Sequence, residues 1–237
     1  MNTGAIIGTL SYASGSPRYN YGTGILSSSY KIKTPSLDFS EIANSYTISW
    51  WAKGSTFGSN GEMMWGFGDG NRLNVMHKLC LNTGDSADNP LYKPNTTTKI
   101  SEPTSNTWHH FALTGDGTSS NLYVDGSLYG VAKTYKSITG TTIYLNGWDT
   151  SSDYAFNGYY SDFRIYGTTL DQSDIKELYN TSAMICPDYT LYGYMFNEGD
   201  ETIISKTGII TMVELNEGSS ISIQNSGEIK GNNFIER

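Results

Sequence analysis

Two short segments combine a tryptophan with side chains that form hydrogen bonds. One is Asn146-Gly147-Trp148-Asp149, and the other runs from Trp65 to Asn71. An exposed aromatic ring stacks on the apolar carbons of a pyranose, while amide and carboxylate groups bond its hydroxyls. Trp148 would fit equally well in a core, where large aromatic rings dominate burial. The candidate carbohydrate-binding residues are Trp148, Asn146, Asp149, Trp65 and Asn71.

Aspartates cluster in two predicted loops, Asp69-Gly70-Asn71 and the segment that holds Asp149 and Asp153. Hard cations such as Ca²⁺ take carboxylate and carbonyl oxygens from loops. Asp and Asn are equally favoured in turns for backbone reasons, so this pattern has two explanations. Calcium is the one ion that these residues indicate, with Asp69, Asp149 and Asp153 as its ligands, and no other cofactor is expected.

Catalytic constellations are missing from the sequence pattern. Glycoside hydrolysis needs two carboxylates about 5–9.5 Å apart, and the nearest acidic run, Glu198-Gly199-Asp200-Glu201, reads as a solvated turn. His109 and His110 are neighbours on a predicted strand, so their side chains point to opposite faces and cannot chelate one ion together. No serine is marked as an elbow nucleophile. We therefore expect no enzymatic activity.

The composition indicates β-structure with many turns. The 237 residues include 26 Gly and 18 Tyr, and only 16% are charged, against roughly 25% in ordinary soluble domains. Fifteen basic and 23 acidic residues give a net charge of −8, which argues against binding to nucleic acid or anionic membrane. Met1–Leu10 has no signal-peptide pattern, and no apolar run could span a bilayer. We expect synthesis in a cytosol.

Alternating apolar and polar residues predict the elements that position these loops. One helix is expected, beginning after Asp171 and including Ile175, Leu178 and Tyr179, against the edge of the sheets. The stretch Asn82–Asn106 reads as a long polar loop, and such loops are usually functional or mobile. The predicted strands are Ser45–Ala52, Trp108–Leu113, the hairpin Asn121–Tyr129 with its Asp125-Gly126 turn, Thr141–Leu145 and Tyr159–Tyr166.

These strands, taken in order, resemble the laminin-G-like branch of the concanavalin A-like lectin/glucanase superfamily. The resemblance implies an all-β, antiparallel, two-sheet jelly-roll sandwich, and many such domains hold one calcium near the rim. Glucanases of the superfamily carry Glu-x-Asp-x-Glu on one strand, and this chain has no such run. The matching segments are Tyr46–Trp51, Trp108–Ala112, Leu122–Gly126, Phe156–Tyr166 and the helix at Asp174–Tyr179.

The residue pattern changes in the C-terminal part of the sequence. Ile204–Ile210 is echoed by Ile223–Ile229, and both read as β-hairpins with too few apolar residues to form a core. We expect a sandwich over residues 1–185 and a β-hairpin assembly segment over 186–237. The paired hairpins need a partner surface, which is the main domain, a second copy of the chain or another protein, and homo-oligomerisation is expected.

The segment Gly227–Glu236 resembles the chain ends of phage and prophage virion proteins. Such proteins are made in a host cytosol without a signal and act outside cells, which implies a virion location and other virion proteins as partners. The leading hypothesis is a tail, fibre or head-surface protein that adheres to a host-surface glycan or protein. The alternative is a decoration or cement protein without a ligand, and a glycoside hydrolase is the third hypothesis.

Overall fold

The structure is a computed structural model. It describes residues 5–7, 11–16, 20–25, 31–33, 39–57, 63–67, 74–76, 80–82, 91–132, 134–135, 137–138, 140–147, 156, 158–180, 190–196, 211–215 and 223–225.

Nearly all regular structure in the described residues is β. A 3-10 turn lies at Ser40–Ile42, and one helix, α1, spans Gln172–Asn180. The strands are β1 (Ala5–Ile7), β2 (Ser11–Ser16), β3 (Asn20–Ile25), β4 (Lys31–Lys33), β5 (Tyr46–Gly54), β6 (Trp65–Phe67), β7 (Asn74–Met76), β8 (Cys80–Asn82), β9 (Leu91–Tyr92), β10 (His109–Gly115), β11 (Ser120–Val124), β12 (Ser127–Ala132), β13 (Ile143–Leu145), β14 (Gly158–Tyr166), β15 (Thr190–Phe196), β16 (Thr211–Leu215) and β17 (Ile223–Asn225).

The described strands form two sheets. The small sheet has six strands in the order β1-β4-β13-β6-β7-β8. The large sheet has eleven: nine in the order β17-β16-β15-β14-β5-β10-β11-β12-β9, and the β2–β3 hairpin, which joins β14 through β3. The described pairings are antiparallel except between β15 and β16. This architecture confirms the expected antiparallel sandwich with one short helix.

Aromatic rings from both sheets fill the space between them. Trp50 of the large sheet meets Trp65 of the small sheet edge-on, with ring centroids 5.3 Å apart, and stacks on Phe111 at 5.4 Å. Trp65 also contacts Phe163 at 6.0 Å. Alternate residues of β5 face this core because side chains of a strand point to opposite faces in turn. The two inner faces therefore interlock as in other sandwiches.

The central strands match their predictions closely. The predicted strand Ser45–Ala52 corresponds to β5, which begins one residue later and ends two residues later. The predicted strand Tyr159–Tyr166 corresponds to β14, which begins one residue earlier. The predicted hairpin consists of β11 and β12, with φ values of 49° at Asp125 and 76° at Gly126. Two successive positive φ values are what a two-residue hairpin turn of type I′ requires, which explains the Asp-Gly pair.

Helix α1 lies on the outer face of the large sheet rather than at its edge. Asp171 caps it, because Asp171 Oδ1 accepts the backbone N–H of Ser173 at 2.7 Å and of Asp174 at 3.0 Å. Asp174 Oδ2 in turn accepts the Asp171 N–H at 3.2 Å. The helix and sheet form a second apolar cluster of Ala112, Tyr123, Tyr166, Leu170, Ile175 and Leu178. The helix therefore covers a face of the large sheet, and the expected position at the edge of the sheets is wrong.

A buried ion pair marks an irregularity in β14. The register between β14 and β5 shifts between Ser161 and Arg164, and Asp162 has a φ of 50°. The Arg164 guanidinium donates to both Asp162 carboxylate oxygens, at 2.5 and 2.8 Å. Both residues are buried. This ion pair therefore lies directly at the bulge.

The strands beyond residue 189 continue the large sheet. β15 pairs with β14, β16 with β15, and β17 with β16. The second predicted hairpin is described only at Ile223–Asn225, while residues 204–210 and the proposed boundary at 185/186 lie outside the described residues. The division into two segments stays a prediction. No helix in the part that the structure describes is long and apolar enough to cross a membrane.

Candidate functional site

Asn146 fixes the start and the end of the loop that carries the predicted sugar-binding residues. The chain turns sharply after β13, with φ values of 70° at Asn146 and 133° at Gly147. The Asn146 backbone N–H donates to Met64 O at 2.8 Å. Its side-chain Oδ1 accepts the Phe156 backbone N–H at 2.5 Å. Both ends of the segment 147–155 are thereby held by one buried residue.

A second bond ties this region to the large sheet. Met64 O also accepts the Tyr160 hydroxyl at 2.7 Å, and the Tyr160 ring meets that of Phe156 edge-on at 5.5 Å. Because Met64 immediately precedes β6 of the small sheet and Tyr160 lies on β14, this bond crosses between the sheets. We call Met64, Asn146, Phe156 and Tyr160 the rim base.

The chain crosses from one sheet to the other at the rim base. β13 belongs to the small sheet and β14 to the large one, so the segment between them joins the two layers of the sandwich. Trp148, Asp149 and Asp153 belong to this segment and lie outside the described residues. Their assignments as sugar-binding and calcium-binding residues stay predictions.

Two other predicted sugar-binding residues are adjacent but buried. Leu145 pairs with Trp65, which places Trp65 beside Asn146. Both residues are 0% exposed. The Trp65 ring packs between Trp50 and Phe163, and Asn146 holds the rim base. In this structure neither side chain presents a face to a ligand, which corrects the expectation that both lie on an exposed surface.

The remaining candidate ligand-binding residues follow the other end of β6 in the chain. Ile143 pairs with Phe67, and Leu145 with Trp65, so the chain after Phe67 departs from the end of β6 opposite to Asn146. Asp69 and Asn71 follow there and lie outside the described residues. The two aspartate clusters thus start from opposite ends of one strand pair. Within the described ranges, no group of three or more His, Cys, Asp or Glu side chains is assembled for a metal.

An open groove lies on the outer face of the large sheet, at its β9 edge. It has a volume of about 1050 Å³. Tyr92 pairs with Val131 across β9 and β12, so their side chains share one face. We call this groove the edge groove. It is lined by Tyr92, Lys93, Pro94, Asn95, Thr96, Thr97, Thr98, Leu128, Val131 and Ala132.

A hydrogen-bonded turn forms the wall of the edge groove. Thr96 N donates to Lys93 O at 3.1 Å, with Pro94 second and Asn95, at φ 59°, third. Proline followed by a residue of positive φ is the pattern of a type II turn. The Thr96 hydroxyl donates to Lys93 O at 3.0 Å and accepts Thr98 N at 3.1 Å. The wall is therefore held in one shape before any ligand arrives.

Part of the predicted long loop forms regular structure. Lys93 N donates to Thr98 O at 2.8 Å and Ile100 N to Leu91 O at 3.0 Å, which closes a small hairpin inside the stretch 82–106. The sequence pattern predicts one loop here and indicates neither β9 nor the edge groove. The Pro94-Asn95 pair, a turn signal directly after Leu91 and Tyr92, is the pattern that could have indicated them.

His109 secures the other end of this loop. Its Nδ1 lies 2.7 Å from Asp125 Oδ2, and its Nε2 lies 3.0 Å from Thr104 O. The hydrogen bond to Asp125 raises the pKa of His109, with a smaller opposing effect of burial. Asp125 Oδ1 also accepts the His110 backbone N–H at 2.9 Å. Asp125 therefore makes these two contacts in addition to its predicted place in the hairpin turn.

Five carboxylates among the described residues form hydrogen bonds or ion pairs within the protein. Hydrogen bonds from the Ser119 backbone and neighbouring groups hold the pKa of Asp116 well below its ordinary value, and the Ser173 hydroxyl lowers the pKa of Asp171. A general acid needs a raised pKa instead. The five residues are Asp116, Asp125, Asp162, Asp171 and Asp174.

Solved structures share the fold at low sequence identity. Domain 4 of AbnA, an extracellular arabinanase of Geobacillus stearothermophilus solved with arabinotriose, is 21% identical with a TM-score of 0.54, covering 75% of this chain and 88% of that one. The binding domain of botulinum neurotoxin DC, solved with rat synaptotagmin II, is 16% identical with a TM-score of 0.54, covering 77% and 47%.

A third structure, of botulinum neurotoxin type C, has a TM-score of 0.55 at 16% identity and the same coverage of 77% and 47%. This chain therefore spans about half of the toxin chains that it matches. The comparison with curated proteins found no match. The laminin-G model of the concanavalin A-like lectin/glucanases superfamily matches residues 26–176, and the chain belongs to that superfamily.

Proposed function

We propose that this protein is a non-enzymatic carbohydrate-binding module that attaches a phage virion to glycans of the host surface. The rim loop 147–155 is the contact, with the Trp148 ring against the sugar and Asp149 bonded to its hydroxyls. Asp149 and Asp153 would hold calcium if the loop takes an ion. Fold alone does not decide between a lectin, an enzyme and a spacer, so the proposal depends on the site.

The rim base is the observation that carries this proposal. Asn146 joins both ends of the rim loop through buried hydrogen bonds, and Tyr160 anchors the same point to the large sheet. Binding loses less conformational entropy when the ligand-contacting segment has fixed ends. Binding residues are commonly found on loops that a rigid scaffold positions. The sandwich supplies such a scaffold.

Relatives of the same fold support the ligand class. The arabinanase domain was solved with arabinotriose, and botulinum neurotoxin type C depends on two ganglioside molecules to enter cells. Both ligands contain sugars. The identities of 21% and 16% carry no residue roles across to this chain.

We also propose that the protein does not catalyse glycoside hydrolysis. Retaining and inverting glycosidases need a pair of free carboxyl groups facing one bond. In the described residues, five carboxylates are engaged in a cap, turns or an ion pair, and the lining of the edge groove contains none. In this proposal, the acidic residues of the rim loop bind sugar hydroxyls or calcium.

A glycan array of the full chain tests the adhesion proposal. The intact protein is expected to bind a defined set of bacterial surface glycans, and Trp148→Ala is expected to lose that set. Trp108→Ala removes an indole from the loop before β10 and is the matched control, with melting temperatures recorded for both variants. If the intact chain bound no glycan at millimolar sugar, the adhesion proposal would fail and the decoration alternative would replace it.

The virion location and the assembly role need a separate test. The segment 186–237 is proposed to join copies of this chain or other virion proteins, because its paired hairpins are poor in apolar residues. A chain ending after Asn180 is expected to lose particle incorporation and its oligomeric state. Unchanged incorporation and an unchanged native mass would refute the assembly role.

A further inference from the structure

The edge groove has the chemical character of a ligand site, and none of its lining residues belongs to the rim base. Its floor consists of Tyr92, Leu128 and Val131, all half-buried, and its wall is the turn from Lys93 to Thr98. An aromatic ring and aliphatic side chains beside hydroxyl and amide groups form the mixed surface that small-molecule sites use. We propose that the edge groove is a second carbohydrate site, selective for anionic sugars.

Charge argues for the anionic preference. Lys93 is the charged residue among the ten that line the groove. Lys99 forms a β-bridge with Tyr92, so the Lys99 side chain lies on the same face of the sheet. Both lysines are exposed, on a protein whose net charge is −8. A groove lined by a lysine and by no carboxylate attracts a carboxylated or sulfated sugar in preference to its neutral form.

The backbone pairing argues against an extended peptide as the occupant. A peptide usually adds a strand to a free sheet edge. Here the far side of β9 is already used, because Ile100 N donates to Leu91 O and Lys93 N to Thr98 O. What remains available is the face with the Tyr92 ring and the exposed side chains of Asn95 and Thr97. Stacking and hydroxyl bonding on such a face suit a sugar ring.

The turn supplies preorganisation. The Thr96 hydroxyl is committed to Lys93 O and Thr98 N, so Thr96 stabilises the wall and does not reach for ligand. The Tyr129 hydroxyl donates to Ser101 O at 3.1 Å, and Asn106 N donates to Gly54 O at 2.7 Å. These bonds hold the loop behind the wall against the sheet. A ligand would therefore meet a surface that needs little ordering.

The test compares trigalacturonate with its neutral methyl ester, by isothermal titration against the full chain at about 50 mM salt. The same titration is run with a sulfated galactose oligosaccharide and its desulfated form. We expect the wild type to bind at least one anionic sugar more tightly than its neutral partner, and the preference to shrink at high salt. Lys93→Gln is expected to weaken the anionic sugar about tenfold and leave its neutral partner unchanged.

Lys176→Gln is the matched control, because it removes an equal charge from the exposed side of α1. Tyr92→Leu keeps the apolar floor, and it is expected to weaken both members of a sugar pair. Equal affinities for the charged and neutral members would overturn the anionic preference, and binding unaffected by Tyr92→Leu would overturn the site. Absence of binding to all four probes would overturn the proposal. Trp148→Ala, included throughout, is expected to leave this binding intact, so a failure of the rim proposal is distinguished from a failure here.

Discussion

Asn146 Oδ1 accepts the Phe156 backbone N–H at 2.5 Å, and this single bond joins the end of β13 to the approach to β14. The same asparagine has a φ of 70° and a backbone N–H bonded to Met64 O. Asparagine tolerates the left-handed region and supplies an acceptor there, which few residues do together. Its buried side chain holds the Phe156 backbone in place.

Replacing Asn146 is therefore expected to loosen the rim. Asn146→Gly removes the acceptor without adding backbone strain, and it leaves the buried Phe156 N–H unpaired at a cost of about 1–3 kcal/mol in unfolding free energy. Asn146→Ala is expected to cost more, since alanine at positive φ is strained. Urea unfolding of the two variants measures both effects. A Gly variant as stable as the wild type would show that the bond does not hold the loop.

Trp65 provides a test of burial against exposure. Its ring is 0% exposed and meets Trp50 and Phe163 edge-on. We expect Trp65→Ala to lower the unfolding free energy by about 3–5 kcal/mol, as for other large core aromatics. Denaturant titration gives the value. A loss under about 0.5 kcal/mol, the range of surface substitutions, would place the ring outside the core.

The Asp162–Arg164 pair predicts a non-additive pair of substitutions. Arg164→Met leaves the buried Asp162 carboxylate without its guanidinium, and losing one partner of a buried pair costs about 3–5 kcal/mol. Adding Asp162→Asn removes the buried charge, so the double variant is expected to be more stable than Arg164→Met alone. A double-mutant cycle of unfolding free energies measures the coupling. Additive effects would contradict a direct ion pair.

His109 predicts a pH dependence of stability. Both of its ring nitrogens face acceptors, Asp125 Oδ2 and Thr104 O, so the imidazolium form satisfies both contacts, and the pKa is raised from 6.5. A group with a raised folded-state pKa stabilises fully below its unfolded value and loses that contribution as the pH rises through the folded value. We expect the contribution to be complete below about pH 6 and lost above the raised pKa.

The comparison variant is His109→Gln, which does not titrate. Unfolding free energies of the wild type and this variant, measured from pH 5.5 to 8.5, are expected to converge as the pH rises. Subtraction of the two curves removes the contributions of other titrating groups. A difference that stays constant over this range would mean that the pKa of His109 is the same in the folded and the unfolded protein.

Strands with strong alternation were predictable because burial of one face fixes their register. Strand β5 illustrates this, since Ile48 and Trp50 alternate with outward-facing residues and share the inner face. The Asp125-Gly126 turn was equally readable, because two positive φ values restrict the residue types. The position of α1 was not predictable. Its few apolar side chains show that one face of the helix is buried, but they do not show which surface of the sheets that face contacts.

The candidate site was harder to predict for a physical reason. A Trp followed by glycines and polar residues looks the same whether the ring lies in solvent or in a core, and Trp65 proved to be buried. Asn146 was expected to touch a ligand because its side chain is polar, yet the Phe156 N–H uses that polarity. Tyr92 was overlooked because β9 has only two residues and shows no alternation.

The central claim is that this sandwich binds sugar without cleaving it. The most direct measurement incubates the full chain with the best ligand of the glycan array and follows binding by titration and new reducing ends by colorimetric assay in the same sample. We expect saturable binding that Trp148→Ala abolishes, with no reducing ends above a buffer blank. Reducing ends that accumulate with time and protein concentration would contradict it.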